Sequence, residues 1–130
     1  MCFKLFKQAL SGLVLSICCA SSYAEEMTAV EWAPFVKAAG ITDQQLIAAA
    51  DKVNSDFLAN QPGFIKRELI KKNETEYADI VYWNTQADAL AAGNKVSNSP
   101  VCGEYFRLMD MAASGSAGAG FSHYNILKTW

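Results

Sequence analysis

The chain has 130 residues, of which 52% are hydrophobic and 18% charged, with a formal net charge of −2. That is enough apolar sequence for the core of one domain, and the weak negative charge without a basic stripe argues against a nucleic-acid partner. Repeated phosphate-cradling glycines, clustered Cys/His ligands and a Ser/His/Asp arrangement are all missing, so those reaction classes have no sequence support.

The first two dozen residues read as a secretory leader. Lys4 and Lys7 give a positive head, Ala9 to Ala20 an apolar stretch, and Ser22-Tyr23-Ala24 small residues at the cleavage positions. The apolar run falls short of the ~20 residues of a spanning helix, which disfavours an uncleaved anchor. Cys18 and Cys19 raise a lipoprotein reading, but bulky Ile17 stands where a small residue is needed. The expectation is cleavage between Ala24 and Glu25: residues 1–24 form the signal peptide and residues 25–130 one exported domain, periplasmic or secreted, with no further membrane contact. Two lysines leave with the leader, so nine basic side chains face thirteen acidic ones, a net charge of −4. Of the four cysteines only Cys102 stays, so no internal disulfide is expected. It reads as a small buried hydrophobe, with a link between two chains as the alternative.

Thr28 to Val36 carries Val30, Trp32 and Phe35 and predicts a first strand, although Pro34 conflicts with a ladder and should mark a bulge or an early end. Thr42 with Gln45 three residues later is a capping box. Leu46, Ile47, Ala50, Val53, Phe57 and Leu58 follow at helical spacing. Pro62-Gly63 stops that helix and opens a hairpin. Its arms are Phe64 to Ile70 and Tyr77 to Trp83, and the polar segment Asn73 to Glu76 joins them. Thr85 and Asp88 cap a short Ala-rich helix closed by Gly93. Ser99-Pro100 starts another, with Cys102, Tyr105, Phe106 and Met109 on one face. Ala112 to Gly120 reads as a Gly/Ala/Ser loop, and Phe121 to Lys128 as a last strand.

The order strand, helix, strand, strand, helix, strand predicts an α+β, ferredoxin-like βαββαβ protomer: an antiparallel sheet with helices on one face. The other face has nothing to cover it. It carries either Val81, Trp83 and Phe121 or Ile80, Tyr82 and Tyr124, according to register. A large open apolar face predicts a second copy related by a two-fold axis.

Pro62-Gly63-Phe64-Ile65, Arg67, Leu69, Asp79-Ile80-Val81-Tyr82-Trp83, Asp88-Ala89 and Ser99-Pro100 together resemble the antibiotic biosynthesis monooxygenase-like family, over about Val30 to Asp110. The resemblance implies protomers pairing sheet to sheet into a dimeric α/β barrel. It also implies oxidoreductase chemistry of a kind known in some relatives: oxygenation without metal or flavin, in which the anion of an electron-rich aromatic substrate reacts with oxygen. Other relatives degrade haem, holding iron with a helical histidine, whereas the one histidine here lies on a predicted strand. The family's frequent Asp-Gly hairpin turn is replaced by Asn73-Glu74-Thr75-Glu76, and no catalytic residue travels with the matching motifs.

His123 is the chain's one histidine, the residue type suited to proton transfer near neutral pH, so it is the first candidate catalytic base, with Tyr105 beside a space between helix and sheet. A single strand histidine is more often structural. Tyr82 and Trp83 must point to opposite faces. With Trp32 and Tyr124 they are candidate ligand-binding aromatics, though packing explains them as well. Arg67 is a candidate for orienting a ligand; if it lies inward its charge must be paired, and Asp79 on the neighbouring strand could do that. The expected ligand is a small apolar or aromatic molecule, with no cofactor. The alternative is a non-catalytic periplasmic module of the same fold, for ligand binding or assembly.

Overall fold

The computed structural model describes residues 27–116 and 120–130, so the leader expected over residues 1–24 lies outside the described residues. Among the described residues ten short elements follow one another. Strand β1 (Ala29–Val36) leads to helix α1 (Asp43–Asp56) and a single 3₁₀ turn (Leu58–Asn60). Strands β2 (Phe64–Lys71) and β3 (Glu76–Trp83) form the hairpin. Helix α2 (Gln86–Gly93), a second 3₁₀ turn (Val96–Asn98), helix α3 (Pro100–Phe106), helix α4 (Met111–Ser116) and strand β4 (Ser122–Asn125) complete the chain. Among the described residues no helix is long and apolar enough to cross a membrane.

The four strands lie in the order β2-β3-β1-β4, every neighbouring pair antiparallel, in an open sheet. This is the ferredoxin-like arrangement the element order predicts. The helix starts are those the sequence signals. Thr42 accepts from the Gln45 amide while the Gln45 side chain takes the Thr42 amide, which satisfies two free donors at the start of α1. At α2, Thr85 accepts from the Asp88 amide, but the Asp88 carboxylate bonds the Thr85 hydroxyl instead of its amide, so only half of the expected box forms. Ser99 caps α3 with Pro100 in its first turn.

Pro34 neither bulges nor ends β1; it pairs in register opposite Ala78. β4 accompanies β1 only from Ala29 to Trp32, so beyond that point one side of β1 has no strand beside it. The Val36 amide points to that side, where it donates to Ser114 Oγ at 2.9 Å. Two residues earlier on a strand the nitrogen points the same way. The missing donor of Pro34 therefore falls where no ladder exists.

The expected loop from Ala112 to Gly120 is helical over its first part, because Asp110 supplies an N-terminal acceptor to Ala113 and buried Ser114 ties the segment to β1. The last strand is shorter than the predicted Phe121 to Lys128, with one further backbone bond from Ile126 to Thr28. In the hairpin turn, Asn73 Oδ1 accepts the amides of Thr75 and Glu76 at 2.9 and 2.8 Å. Its side chain thus closes a turn that lacks Asp-Gly.

Gly63 has φ +78°, and a Cβ there would run into the Asp88 side chain at the start of α2, so this corner requires glycine on two counts. Immediately after it, the β2–β3 register shifts between Phe64 and Lys66, leaving Ile65 as the extra residue of a bulge. Strict alternation from inward-facing Phe64 would bury Lys66, Glu68 and Ile70. The bulge resets the phase, so Arg67 and Leu69 face the helices instead. Ile65, the extra residue, thereby falls out of the simple alternation that puts it in phase with Arg67 and Leu69.

The core lies between this sheet face and the helices: Phe35, Tyr77, Val81 and Trp83 pack with Leu46, Val53, Phe57, Ala89, Cys102 and Tyr105. Cys102 is buried and free. Register puts Val30, Trp32, Ile80, Tyr82 and Tyr124 together on the other face, deciding the parity left open by the sequence. No element among the described residues covers that face, and Trp32, Ile70 and Tyr124 are exposed on it.

Candidate functional site

Five ionisable or hydrogen-bonding side chains meet on the helix-covered side of the sheet, where apolar packing would be the default. Asp79, at the middle of β3, is 7% exposed. Arg67 on β2 reaches it through Nε and Nη2, each 2.8 Å from Oδ1. Tyr105 on α3 donates its hydroxyl to Oδ2 at 2.9 Å. The guanidinium also donates to the Ala50 carbonyl of α1 at 2.9 Å and lies 4.9 Å from the Tyr105 ring centroid. Both carboxylate oxygens and the fork of the arginine are therefore used, as burial of a charge pair demands.

Glu31 on β1 is equally buried, and His123 Nε2 on β4 lies 2.9 Å from its Oε2. Because Glu31 pairs with Val81 and Ala33 with Asp79, the two carboxylates are diagonal neighbours on one face. Burial pushes both carboxyl groups above their ordinary range. For Asp79 the charge of Arg67 is the main opposing influence. For Glu31 the His123 hydrogen bond opposes the rise, while the Asp79 charge adds to it. Burial first, and then the Asp79 charge, raise the Tyr105 hydroxyl well above its usual value.

Two adjoining lobes of empty space border this cluster. The smaller, about 50 Å³, is walled by Glu31, Arg67, Asp79, Tyr105 and Cys102 together with apolar residues from α1 and β3. The larger, about 190 Å³, is walled by Ala33, Phe35, Asp79, Phe106, Met109, Met111, Ser114 and Phe121. Asp79, Ala33, Phe106 and Phe121 border both, so the carboxylate stands where the lobes meet. Each lobe is smaller than the ~300 Å³ at which drug-sized ligand sites begin, but the larger exceeds the ~150 Å³ that accommodates benzene.

The residues singled out from sequence fall on two sides of the sheet. Arg67 and Tyr105 are on the cavity wall. His123 is on the same side but stands behind Glu31, and it is Glu31 that faces the space. Trp83 is on this side too, 1% exposed, packed edge-on against Phe64 at 5.8 Å and lining neither lobe. Trp32, Tyr82 and Tyr124 are across the sheet. The Tyr82 hydroxyl donates to Glu68 at 3.0 Å, and the Lys66 ammonium sits 4.3 Å from its ring centroid. Sequence reasoning missed Glu31, although its phase with Ala29, Ala33 and Phe35 was a usable signal of an inward charge. Among the described residues no three His, Cys, Asp or Glu side chains converge as a metal site would require.

No family model matches the sequence, and no curated protein matches it. Solved structures do match in shape. A single-residue variant of SnoaB, a cofactor-independent oxygenase from Streptomyces nogalater, superposes with a TM-score of 0.58 at 15% identity, over 78% of this chain and 96% of that one. A putative antibiotic biosynthesis monooxygenase from Chloroflexus aurantiacus gives 0.53 at 13%, over 79% and 96%. The chain shares the fold of these two proteins. A dimeric ferredoxin-like protein from an uncultured marine organism matches at 0.52 and 8% identity, over 82% and 93%. At these identities the likeness is one of fold, and the chemistry must be argued from the side chains.

Proposed function

We propose that the protein is a cofactor-independent oxygenase that takes a one-ring phenol, such as a hydroquinone, into the larger lobe with its hydroxyl at Asp79. The observation that carries this reading is a buried, paired carboxylate where a largely apolar lobe meets a smaller one that holds its charged partners. A carboxylate raised by burial is a stronger base than a free one. When it takes the phenol's proton, the Arg67 charge, which cannot be surrendered, is left to hold the phenolate, with Tyr105 as a further donor. The phenolate then supplies the electrons for oxygen. One oxygen atom enters a ring C–H to give a hydroxyquinone, and the other leaves as water whose two protons come from solvent, balancing the two that the hydroquinone releases. The volume of the lobes favours a one-ring substrate over a polycyclic one.

The test is oxygen uptake with methylhydroquinone under labelled dioxygen, reading one labelled atom in the product. Asp79→Asn should lower turnover on the order of a hundredfold and Tyr105→Phe about tenfold, the range for a proton-transfer group and its partner. Label incorporation no greater than in buffer would favour the non-catalytic binding or assembly module, the reading that the small volume of the lobes supports.

The open face is assigned to a second copy, making an exported homodimer. The fold match to a dimeric ferredoxin-like protein and the exposed Trp32, Ile70 and Tyr124 support this. Protein recovered from outside the cytoplasm should begin at Glu25 and scatter light at twice the protomer mass, and Ile80→Lys should halve that mass. A wild-type monomer at micromolar concentration would refute the assignment.

A further inference from the structure

The proposed proton transfer leaves a buried acid that must return to its base form before each new turnover. The small lobe ends on a second carboxylate, Glu31, and behind that stands His123, whose side chain is 14% exposed on the edge strand β4. The charged and titratable groups facing Glu31 are His123 from β4, Asp79 from β3 and Arg67 from β2, with Tyr105 of α3 bonded behind Asp79. The Arg67–Asp79 ion pair and the hydrogen-bonded Glu31–His123 pair thus flank one small space. That space, about 50 Å³, exceeds the ~10–15 Å³ a water needs, and the two carboxylates supply polar partners for it.

We propose that Glu31 and His123 are the exit limb of a proton relay. A proton taken up by Asp79 crosses the small lobe through water to Glu31, passes to His123, and leaves from the ring to solvent at the sheet edge. Each transfer makes one O–H or N–H bond as another breaks, with no electron moved and no co-reactant needed. The inference rests on the reading of Asp79 as the base. It makes Glu31 and His123 positioning and transfer groups that act through Asp79, and it gives a function to a buried Glu–His pair that packing alone does not require. Apolar side chains would fill the same positions at no desolvation cost.

The probe is 4-nitrophenol, a one-ring phenol whose anion is coloured, mixed rapidly with the protein in weak buffer containing a pH indicator. In the wild type, phenolate appearance and proton appearance in solution should coincide. In Glu31→Gln, and separately in His123→Ala, the proton signal should lag the phenolate signal by about tenfold in rate, a modest share of what a proton-transfer group contributes. Added imidazole should remove the lag in His123→Ala but not in Glu31→Gln, a recovery that a merely structural histidine would not show. Coincident signals in both variants would overturn the relay while leaving the Asp79 reading intact. No bound phenolate in the wild type would overturn that reading and the relay with it. His123→Gln, which keeps a hydrogen bond to Glu31, replaces His123→Ala should the latter not fold, with the same lag expected.

Discussion

Replacing Arg67 by methionine should lower the unfolding free energy at neutral pH by about 3–5 kcal/mol, the usual cost of stranding one member of a buried ion pair. Methionine keeps most of the aliphatic volume, so the loss reports the charge and its hydrogen bonds rather than a cavity. Asp79 would keep only the Tyr105 hydroxyl, with 7% of its surface exposed. The sign of the pH dependence follows from the same residue. Burial already raises the folded-state Asp79 carboxyl above its ordinary 3.8, and Arg67 is the strongest influence holding it down. A raised carboxyl contributes most below its unfolded value, and that contribution is lost as pH rises through the folded value. Without Arg67 the folded value climbs further, so the deficit of the variant should be largest at neutral pH and should shrink as pH falls toward 3.8. Urea titrations at neutral and mildly acidic pH measure it. A deficit that does not change with pH would mean that the pair is not what the substitution breaks.

Trp83→Ala should cost a comparable 3–5 kcal/mol, from lost burial plus the cavity left behind. Trp83 is 1% exposed, meets the Phe64 ring at 5.8 Å, and sits opposite Ala29 on β1. Trp83→Phe should cost far less. It keeps an aromatic ring against Phe64 and removes an indole N–H that has no hydrogen-bond partner among the described residues. Thermal or urea unfolding of the two variants compares them directly. Equal losses would show that the indole's extra volume, and not the ring contact, fills the site. Because this tryptophan lines neither lobe, Trp83→Phe should leave binding of a one-ring phenol untouched.

Local signals carried most of the fold. Thr42 with Gln45, Pro62-Gly63, Thr85 and Ser99-Pro100 each act within a few residues, through caps and turns whose partners are near in sequence, and each appears where its chemistry places it. The same locality explains the misreadings. Pro34 is compatible with β1 only because β4 stops at Trp32 on the side where the proline lacks its donor. The helix Met111–Ser116 looks like a loop by composition because its anchor, the Ser114 bond to Val36, spans 78 residues.

Within the candidate site, two features were legible from the residues alone: Tyr82 and Trp83 must part to opposite faces, and an inward Arg67 would need Asp79. Alternation along a strand and the cost of an unpaired buried charge require both. That Arg67 does turn inward depends on strand pairing, because a one-residue bulge at Ile65 resets the phase of β2. The folded chain likewise brings Tyr105 onto Asp79 and Glu31 onto His123, pairs 26 and 92 residues apart. Contacts at such separations are set by strand register and by which helix crosses which strand, and neither leaves a periodic trace in the residues that make them.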